Sequence, residues 1–275
     1  MGSMCSVRRQ PRRTQSRPAP IRQRLPQLSL FDMGPGRSAA GGLIMLLGLV
    51  PLAYSAGQSG GQLQAGPTLL EIGPKVAATR LLLGNTGDAP VAAQVRVYAW
   101  RQSDGEDRLV PSDQVVVSPP IVELPAGREQ VVRVVRLGPP ASGRDHCYRI
   151  IVDELPRAER AEGNRVKLRM RYVLPLFVRA AEASTPALTC TIDAGGVLLM
   201  CENSGGRAAQ LGASRLLDDE TQVLNLSEGL FGYVLPGSRR VWSLAAHRPA
   251  LKGQTLRLET RLNGHPAKLA VDRAP

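Results

Sequence analysis

The stretch Arg165–Val178 reads RVKLRMRYVLPLFV, and its first half alternates apolar and basic residues with a period of two. Successive side chains of a β-strand point to opposite faces of the sheet, so the apolar residues share one face and the basic residues share the other. The apolar positions are Val166, Leu168, Met170 and Tyr172. An exposed strand edge with this much apolar surface invites pairing with another chain. We therefore predict a strand that pairs with a partner, against the alternative of an internal strand whose apolar face lines its own core.

Short strand signals recur upstream of this stretch, separated by turns that contain glycine, proline, asparagine or aspartate. No segment shows a convincing helical period, and seven or more short strands in about 110 residues are typical of an immunoglobulin-like sandwich. Residues 67–180 are therefore predicted to form one such sandwich, with the strand 165–178 as its last strand.

A second strand-rich segment follows a linker over Arg179–Pro186. Its clearest signal is Thr255–Leu262 followed by Asn263-Gly264, the dipeptide preferred in two-residue hairpin turns. The 275-residue chain is long enough for two modest domains. We predict an all-β protein of two sandwiches, the second over residues 181–275.

The formal net charge of +12 is concentrated near the N-terminus, where arginines far outnumber acidic residues. Leu43–Ala53 is an apolar run of signal-peptide length and is short for a membrane span. Residues 1–56 are predicted to be a signal peptide with a long basic leader, for which Met33 is an alternative start, and residues 57–66 a disordered lead-in. A membrane anchor is the alternative. No recognition motif accompanies the charge, so no nucleic-acid partner is predicted.

Two cysteines flank a hairpin signal, because Cys190 and Cys201 lie on either side of Gly195-Gly196. A two-residue turn there places the cysteines opposite each other and predicts a cross-strand disulfide, against the alternative of two buried thiols. Cys147 stays unpaired and is interpreted as a small core residue. No His and Cys spacing fits a metal site, and no cofactor is predicted.

Several short motifs follow one another in an order that resembles the PapD-like periplasmic pilus chaperones, in particular the archaic branch. They cover most of residues 69–180, and their order is more specific than any one of them. The motifs are Leu70-Glu71-Ile72-Gly73-Pro74, Asn85-Thr86-Gly87-Asp88, Ser118-Pro119-Pro120-Ile121, Leu124-Pro125-Ala126-Gly127, Gln130-Val131-Val132-Arg133-Val134, Tyr148-Arg149-Ile150-Ile151-Val152-Asp153-Glu154-Leu155-Pro156 and Leu174-Pro175-Leu176-Phe177-Val178.

The resemblance implies two domains arranged as an L or boomerang in the periplasm, with no stable membrane insertion after signal cleavage. Its partners are expected to be pilus subunits and an outer-membrane usher. In this family the last strand of the first domain completes a subunit that lacks a strand, a form of strand addition. The donor residues expected here are Val166, Leu168 and Met170, with Tyr172 as a fourth candidate.

The resemblance also implies roles for residues outside the donor strand. Basic residues are expected to grip the carboxylate at the subunit's C-terminus, since a guanidinium binds a carboxylate bidentately, although each candidate could be an ordinary solvated charge. The anchor candidates are Lys75, Arg149 and Arg171, the expected interdomain ion pair is Glu154 with Arg179, and the expected usher-facing residues are Ser118, Pro119 and Arg133.

Two other classes of function fit the sequence less well. An enzyme is not predicted, because His146, His247 and His265 lie in unrelated contexts and no nucleophile elbow or phosphate loop is present. The remaining alternative is a secreted immunoglobulin-like binding or adhesive protein. Such a protein could itself be a surface component such as a pilus subunit, which would lack the last strand of its sandwich. Counting the strands of the first domain therefore separates a chaperone from a subunit.

Overall fold

The computed structural model describes residues 62–156, 168–218, 222–244 and 255–274, and these form strands, turns and loops without any helix. None of them therefore belongs to a helix that could cross a bilayer. The first domain contains β1 (Leu63–Gly66), β2 (Leu70–Ile72), β3 (Ala78–Asn85), β4 (Val91–Ser103), β5 (Glu106–Pro111), β6 (Val115–Ser118), β7 (Ile121–Leu124), β8 (Glu129–Arg136), β9 (His146–Glu154) and β10 (Arg171–Val178). The second contains β11 (Leu188–Ile192), β12 (Leu198–Asn203), β13 (Ala209–Leu211), β14 (Ser214–Asp218), β15 (Gln222–Ser227), β16 (Gly232–Val234), β17 (Ser238–Ser243), β18 (Leu256–Leu262) and β19 (His265–Arg273).

The first domain packs two sheets around one core. One sheet has the order β1-β3-β8-β6, and the other has the order β2-β10-β9-β4-β5 with β7 added to β4. Alternation along β3 shows how the core forms, because Leu81 and Leu83 are fully buried while Leu82 between them is exposed. The all-β sandwich expected from the sequence is confirmed.

The limits of the first domain differ from the prediction at both ends. The predicted signal peptide and residues 57–61 of the lead-in lie outside the described residues. Leu63–Gly66 was expected to be disordered but forms β1, because it pairs with β3 from Leu63 opposite Asn85 to Gly66 opposite Leu82. At the other end, Ala183 still packs against the core of the first domain.

The second domain is a nine-stranded sheet that encloses its own core. The predicted hairpin turn joins β18 to β19, and its central residues Asn263 and Gly264 have φ of 48° and 86°. Both values lie in the left-handed region that a type I′ turn requires at its two central positions. Register follows from this turn, with Leu262 opposite His265.

The predicted disulfide is present, because β11 and β12 place Cys190 opposite Cys201 with a Cα–Cα distance of 4.1 Å. The turn between them is longer than the two residues expected. The ladder closes at Asp193 and Leu198, where the N–H of Asp193 donates to the Leu198 carbonyl at 3.0 Å. The Asp193 carboxylate also accepts the N–H of Val197 at 2.7 Å, which stabilises the wider loop.

Replacing Cys190 and Cys201 together by serine is expected to lower the free energy of unfolding. The disulfide joins residues 11 positions apart. Closing a loop of this size in the unfolded chain contributes about 2–3 kcal/mol. Urea unfolding of the variant and the parent measures the difference, with the parent after reduction as the control. Equal midpoints for all three would contradict a stabilising role.

The two domains meet through an aromatic cluster and through the tip of the β4–β5 hairpin. Trp100 contacts Tyr233 edge to face, with ring centroids 5.3 Å apart. The Gln102 side chain donates to the Tyr233 carbonyl at 2.8 Å and accepts the Leu235 N–H at 2.9 Å, as a strand backbone would. The Gly105 carbonyl accepts the backbone N–H of Val241 on β17 at 2.9 Å. Gly105 has a φ of 77°, and a Cβ added to it would clash with the Val241 side chain.

Candidate functional site

Strand β10 has one partially open edge. It pairs with β9 over its whole length, but it pairs with β2 only from Leu176 to Val178. Among the described strands, none pairs with the segment from Arg171 to Pro175 on the β2 side. The Glu154 N–H donates to the Met170 carbonyl at 3.0 Å, so the even-numbered residues turn their backbone groups toward β9. By the alternation of an antiparallel ladder, the backbone groups of the odd-numbered residues face the open edge.

One face of this segment changes from exposed to buried along the chain. Leu174, Leu176 and Val178 lie in the core of the first domain. Earlier in the chain, Met170 is 42% exposed and Leu168 is 84% exposed. The strand begins at Arg171 rather than at residue 165 as predicted: residues 168–170 are irregular, and Val166 lies outside the described residues. The row of alternate apolar side chains therefore extends N-terminally beyond the residues that pack in the core of the first domain.

Tyr172 belongs to its own domain, contrary to its assignment as a donor residue. Its ring packs against the core of the first domain, and its hydroxyl donates to the Leu63 carbonyl at 2.7 Å. The sequence placed it correctly on the face of Met170. It could not show that β1 supplies an acceptor, because Leu63 lies 109 positions away.

A cationic side chain lines the cleft on the outer face of the same sheet. Arg149 on β9 stacks on Trp100, with its guanidinium carbon 3.5 Å from the ring centroid, and Tyr233 of the second domain lies at 5.4 Å. Burial lowers the pKa of Arg149 from its usual value. No carboxylate among the described residues forms an ion pair with it. Arg149 is thus a partly desolvated cation with unused hydrogen-bond donors.

The other two anchor candidates lie in different surroundings. Lys75 is exposed in the turn after β2. Arg171 already binds Asp153, and Arg96 binds the same carboxylate at 2.5 Å. Burial raises the pKa of Asp153, but the hydrogen bonds from Arg171 and Arg96 outweigh it and leave that pKa below its usual value. Of the three candidates, only Arg149 combines burial with the absence of a direct ion pair; the nearby Asp107 carboxylate acts on it electrostatically but forms no salt bridge with it.

Arg149 also lines a cavity of about 380 Å³ that it shares with Trp100, Asp107, Leu109 and Val173. Because Val173 belongs to the open part of β10, the cavity and the open edge are adjacent. A wider depression of about 590 Å³ lies on the second domain, where its main ion pairs join Glu259 to Arg215 and Lys268. Those charges already have partners, so the smaller cavity is the better candidate site.

The expected ion pair between Glu154 and Arg179 is wrong. Val178 pairs with His146 at one end of the β9–β10 ladder, whereas Glu154 lies at the other end, roughly 25–30 Å away along the strands. The Glu154 carboxylate instead accepts the N–H of Met170 at 3.0 Å. The antiparallel register therefore separates two residues that the family resemblance implied to be paired.

Arg179 binds two other carboxylates near the start of the second domain. It pairs with Glu71 and, at 2.5 Å, with the fully buried side chain of Asp145. Asp145 also accepts the N–H of Ala180 at 3.0 Å, and its own N–H donates to the Gly206 carbonyl at 2.8 Å. Asp145 thus ties β9, the linker and the second domain together. Sequence reasoning missed it because Arg-Asp-His before a strand resembles an ordinary polar loop.

The three residues expected to face an usher lie together, on the sheet that does not contain β10. Ser118 on β6 pairs with Arg133 on β8, and Pro119 follows Ser118 directly. Ser118 and Arg133 are exposed, so these side chains are available on the surface. Their proximity was expected, and their role stays a prediction.

Cys147 lies at the domain interface rather than in the core where it was expected. It is half-buried beside the aromatic cluster of Trp100 and Phe177. Burial raises the pKa of its thiol to about 12, so the group is protonated and unreactive at neutral pH. Within the described ranges, no group of three or more His, Cys, Asp or Glu side chains could hold a metal ion.

The fold defines an all-β protein of two domains with an open strand edge. Residues 62–183 match the family described as pili and flagellar-assembly chaperone, PapD N-terminal domain. Over this segment, 122 of the 275 residues, the chain is similar to the PapD-like pilus assembly chaperones. The resemblance stated from the sequence is confirmed.

Solved structures share this fold at low sequence identity. The chaperone–adhesin complex CsuC–CsuE of the archaic Csu pili of Acinetobacter baumannii gives a TM-score of 0.62 at 23% identity, over 78% of this chain and 100% of the other. The Escherichia coli chaperone DraB gives 0.54 at 21%, over 78% and 97%. The Salmonella enterica complex of the SafA pilin with the SafB chaperone gives 0.53 at 15%, over 76% and 95%. A comparison with curated proteins found no similar sequence.

Proposed function

We propose that this protein is a periplasmic chaperone that binds and stabilises pilus subunits by donor-strand complementation and delivers them to an outer-membrane usher. The observation that carries the proposal is the open edge of β10 beside the exposed side chains of Leu168 and Met170. Because β10 completes its own sandwich, the first domain does not lack a last strand as a pilus subunit does.

The open edge and the exposed apolar residues supply the two parts of strand addition. Backbone groups of Arg171 and Val173 offer hydrogen bonds to an added strand, and alternate side chains determine which groove fits. Leu168 and Met170 are the described side chains that would enter the groove, and Val166 would extend the row. Burying two such side chains contributes about 3–6 kcal/mol before the cost of ordering residues 168–170.

Arg149 is proposed as the anchor for the carboxylate at the subunit's C-terminus. The guanidinium is held in place by Trp100 and Tyr233. Since it has no carboxylate partner among the described residues, an incoming carboxylate would gain a charge-assisted hydrogen bond in a partly desolvated site. Lys75 and Arg171 are weaker proposals, because the first is exposed and the second is matched by Asp153.

Further observations support the proposed periplasmic location and the proposed subunit and usher partners. A structural disulfide between Cys190 and Cys201 suits an oxidising compartment such as the periplasm. A structure of similar fold is that of the periplasmic chaperone SfaE, and the CsuC and SafB chaperones were crystallised with an adhesin subunit and a pilin. Ser118, Pro119 and Arg133 are proposed to contact the usher because they lie together on the sheet that the subunit leaves exposed.

Co-expression with the pilus subunit encoded in the same gene cluster tests the proposal. A one-to-one soluble complex is expected, and hydrogen exchange followed at single residues should show where the subunit binds. The amides of Arg171 and Val173 should exchange at least tenfold more slowly in the complex, because they gain hydrogen bonds. The amides of Tyr172 and Leu174, which face β9, should change little. A complex that leaves all four amides unchanged would overturn the strand-addition mechanism.

A further inference from the structure

The cavity beside Arg149 has walls of two kinds. Leu109 and Val173 present apolar side chains that are 42% and 47% exposed. Asp107 closes another side with a fixed carboxylate, because one of its oxygens accepts the Trp100 Nε1–H at 3.0 Å and an N–H of Gln102 at 2.9 Å. The cavity therefore offers a cation, an anion and apolar surface within one small volume.

We propose that this cavity is a side-chain pocket that selects the last residue of the bound subunit and prefers an apolar one. The inference rests on the proposed role of Arg149 as carboxylate anchor. The Cβ of a terminal residue lies only two bonds from the carboxylate carbon, so a carboxylate held by Arg149 places that side chain at the cavity. A volume of about 380 Å³ accommodates a leucine or phenylalanine side chain.

The two walls act together in selecting that residue. Contact with Leu109 and Val173 removes apolar surface of the terminal side chain from water, which favours leucine over alanine. An acidic terminal side chain would lie near the Asp107 carboxylate, whose charge Arg240 balances only in part from 4.0 Å, so like charges still repel there. The selection therefore combines an attractive and a repulsive element, and it is separate from the groove contacts of Leu168 and Met170.

A double-mutant cycle between subunit and chaperone tests the pocket. Subunits ending in leucine, alanine or aspartate are titrated against the parent chaperone and against Leu109→Ala. On the parent, alanine is expected to bind about tenfold and aspartate at least about tenfold more weakly than leucine. On Leu109→Ala, the difference between leucine and alanine should fall to about twofold. The control is Val110→Ala, since Val110 is the neighbouring exposed residue on the other face of β5.

A second variant and an anchor variant separate the failure of the pocket from the failure of the anchor. Leu109→Trp fills the cavity and is expected to reverse the preference from leucine to alanine. Arg149→Ala should weaken every subunit at least tenfold, whereas Arg101→Ala on the neighbouring strand should not. If Arg149→Ala weakens binding but the leucine-to-alanine ratio is the same on all Leu109 variants, the pocket is wrong and the anchor stands. If Arg149→Ala and Arg101→Ala behave alike, the anchor itself is wrong.

Discussion

Replacing Leu168 and Met170 together by aspartate is expected to abolish retention of the pilus subunit while the chaperone itself stays folded. Both side chains are exposed in the unbound protein, so the substitutions remove no contact with its core. In the complex each carboxylate would enter an apolar groove, and desolvating an unpaired charge costs several kcal/mol. That cost exceeds what the two native side chains contribute, so the complex should fall below detection in a pull-down from co-expressing cells.

The matched control is Leu137→Asp with Leu230→Asp. These leucines are also exposed, and the pair introduces the same charge change away from β10. Retention should be unchanged in the control, and both double variants should unfold at the same urea concentration as the parent. Full retention of the subunit by the Leu168 and Met170 variant would sink the donor assignment, since its mechanism requires those two side chains.

Replacing Arg179 by methionine is expected to destabilise the protein by about 3–5 kcal/mol. The Asp145 side chain is fully buried, and Arg179 is the cation that neutralises it. Methionine keeps much of the apolar volume but leaves Asp145 with a single N–H donor from Ala180. An unpaired buried carboxylate costs far more than the loss of an exposed ion pair. Urea unfolding followed by tryptophan fluorescence measures the difference.

Two companion variants show whether the unpaired charge is the cause. Arg215→Met removes an arginine whose side chain is 56% exposed from its pair with Glu259, and it should cost less than about 1 kcal/mol. Adding Asp145→Asn to Arg179→Met removes the stranded charge and should recover part of the lost stability. If the double variant is no more stable than Arg179→Met, burial of the Asp145 charge is not the reason for the loss.

Local features of the fold could be predicted because they depend on neighbouring residues. The alternation of β3 and β8 follows from the two faces of a strand, and the Asn263-Gly264 turn follows from the φ values that those residues tolerate. The pairing of Cys190 with Cys201 followed from a nearby hairpin, although the loop proved longer than two residues. The loop is longer than predicted by one residue on each side of Gly195-Gly196. The cysteines therefore stay opposite each other.

The site was only partly predictable, because its chemistry depends on distant residues. Arg149 was one of three anchor candidates, and nothing close in sequence distinguished it from Lys75 or Arg171. What distinguishes it is stacking on Trp100, contact with Tyr233 of the second domain and the absence of a carboxylate partner among the described residues. Such surroundings appear only after β4, β9 and the second domain have come together.

The residue pattern by itself determined the all-β class, the two-domain division and the apolar row that leads to Met170, because period-two alternation and turn preferences act over a few residues. Only the tertiary structure decided which part of that row stays exposed, which cation remains unmatched and which carboxylate neutralises Arg179. These outcomes depend on strand register and on burial, and both are set by contacts between segments that lie tens to more than a hundred residues apart.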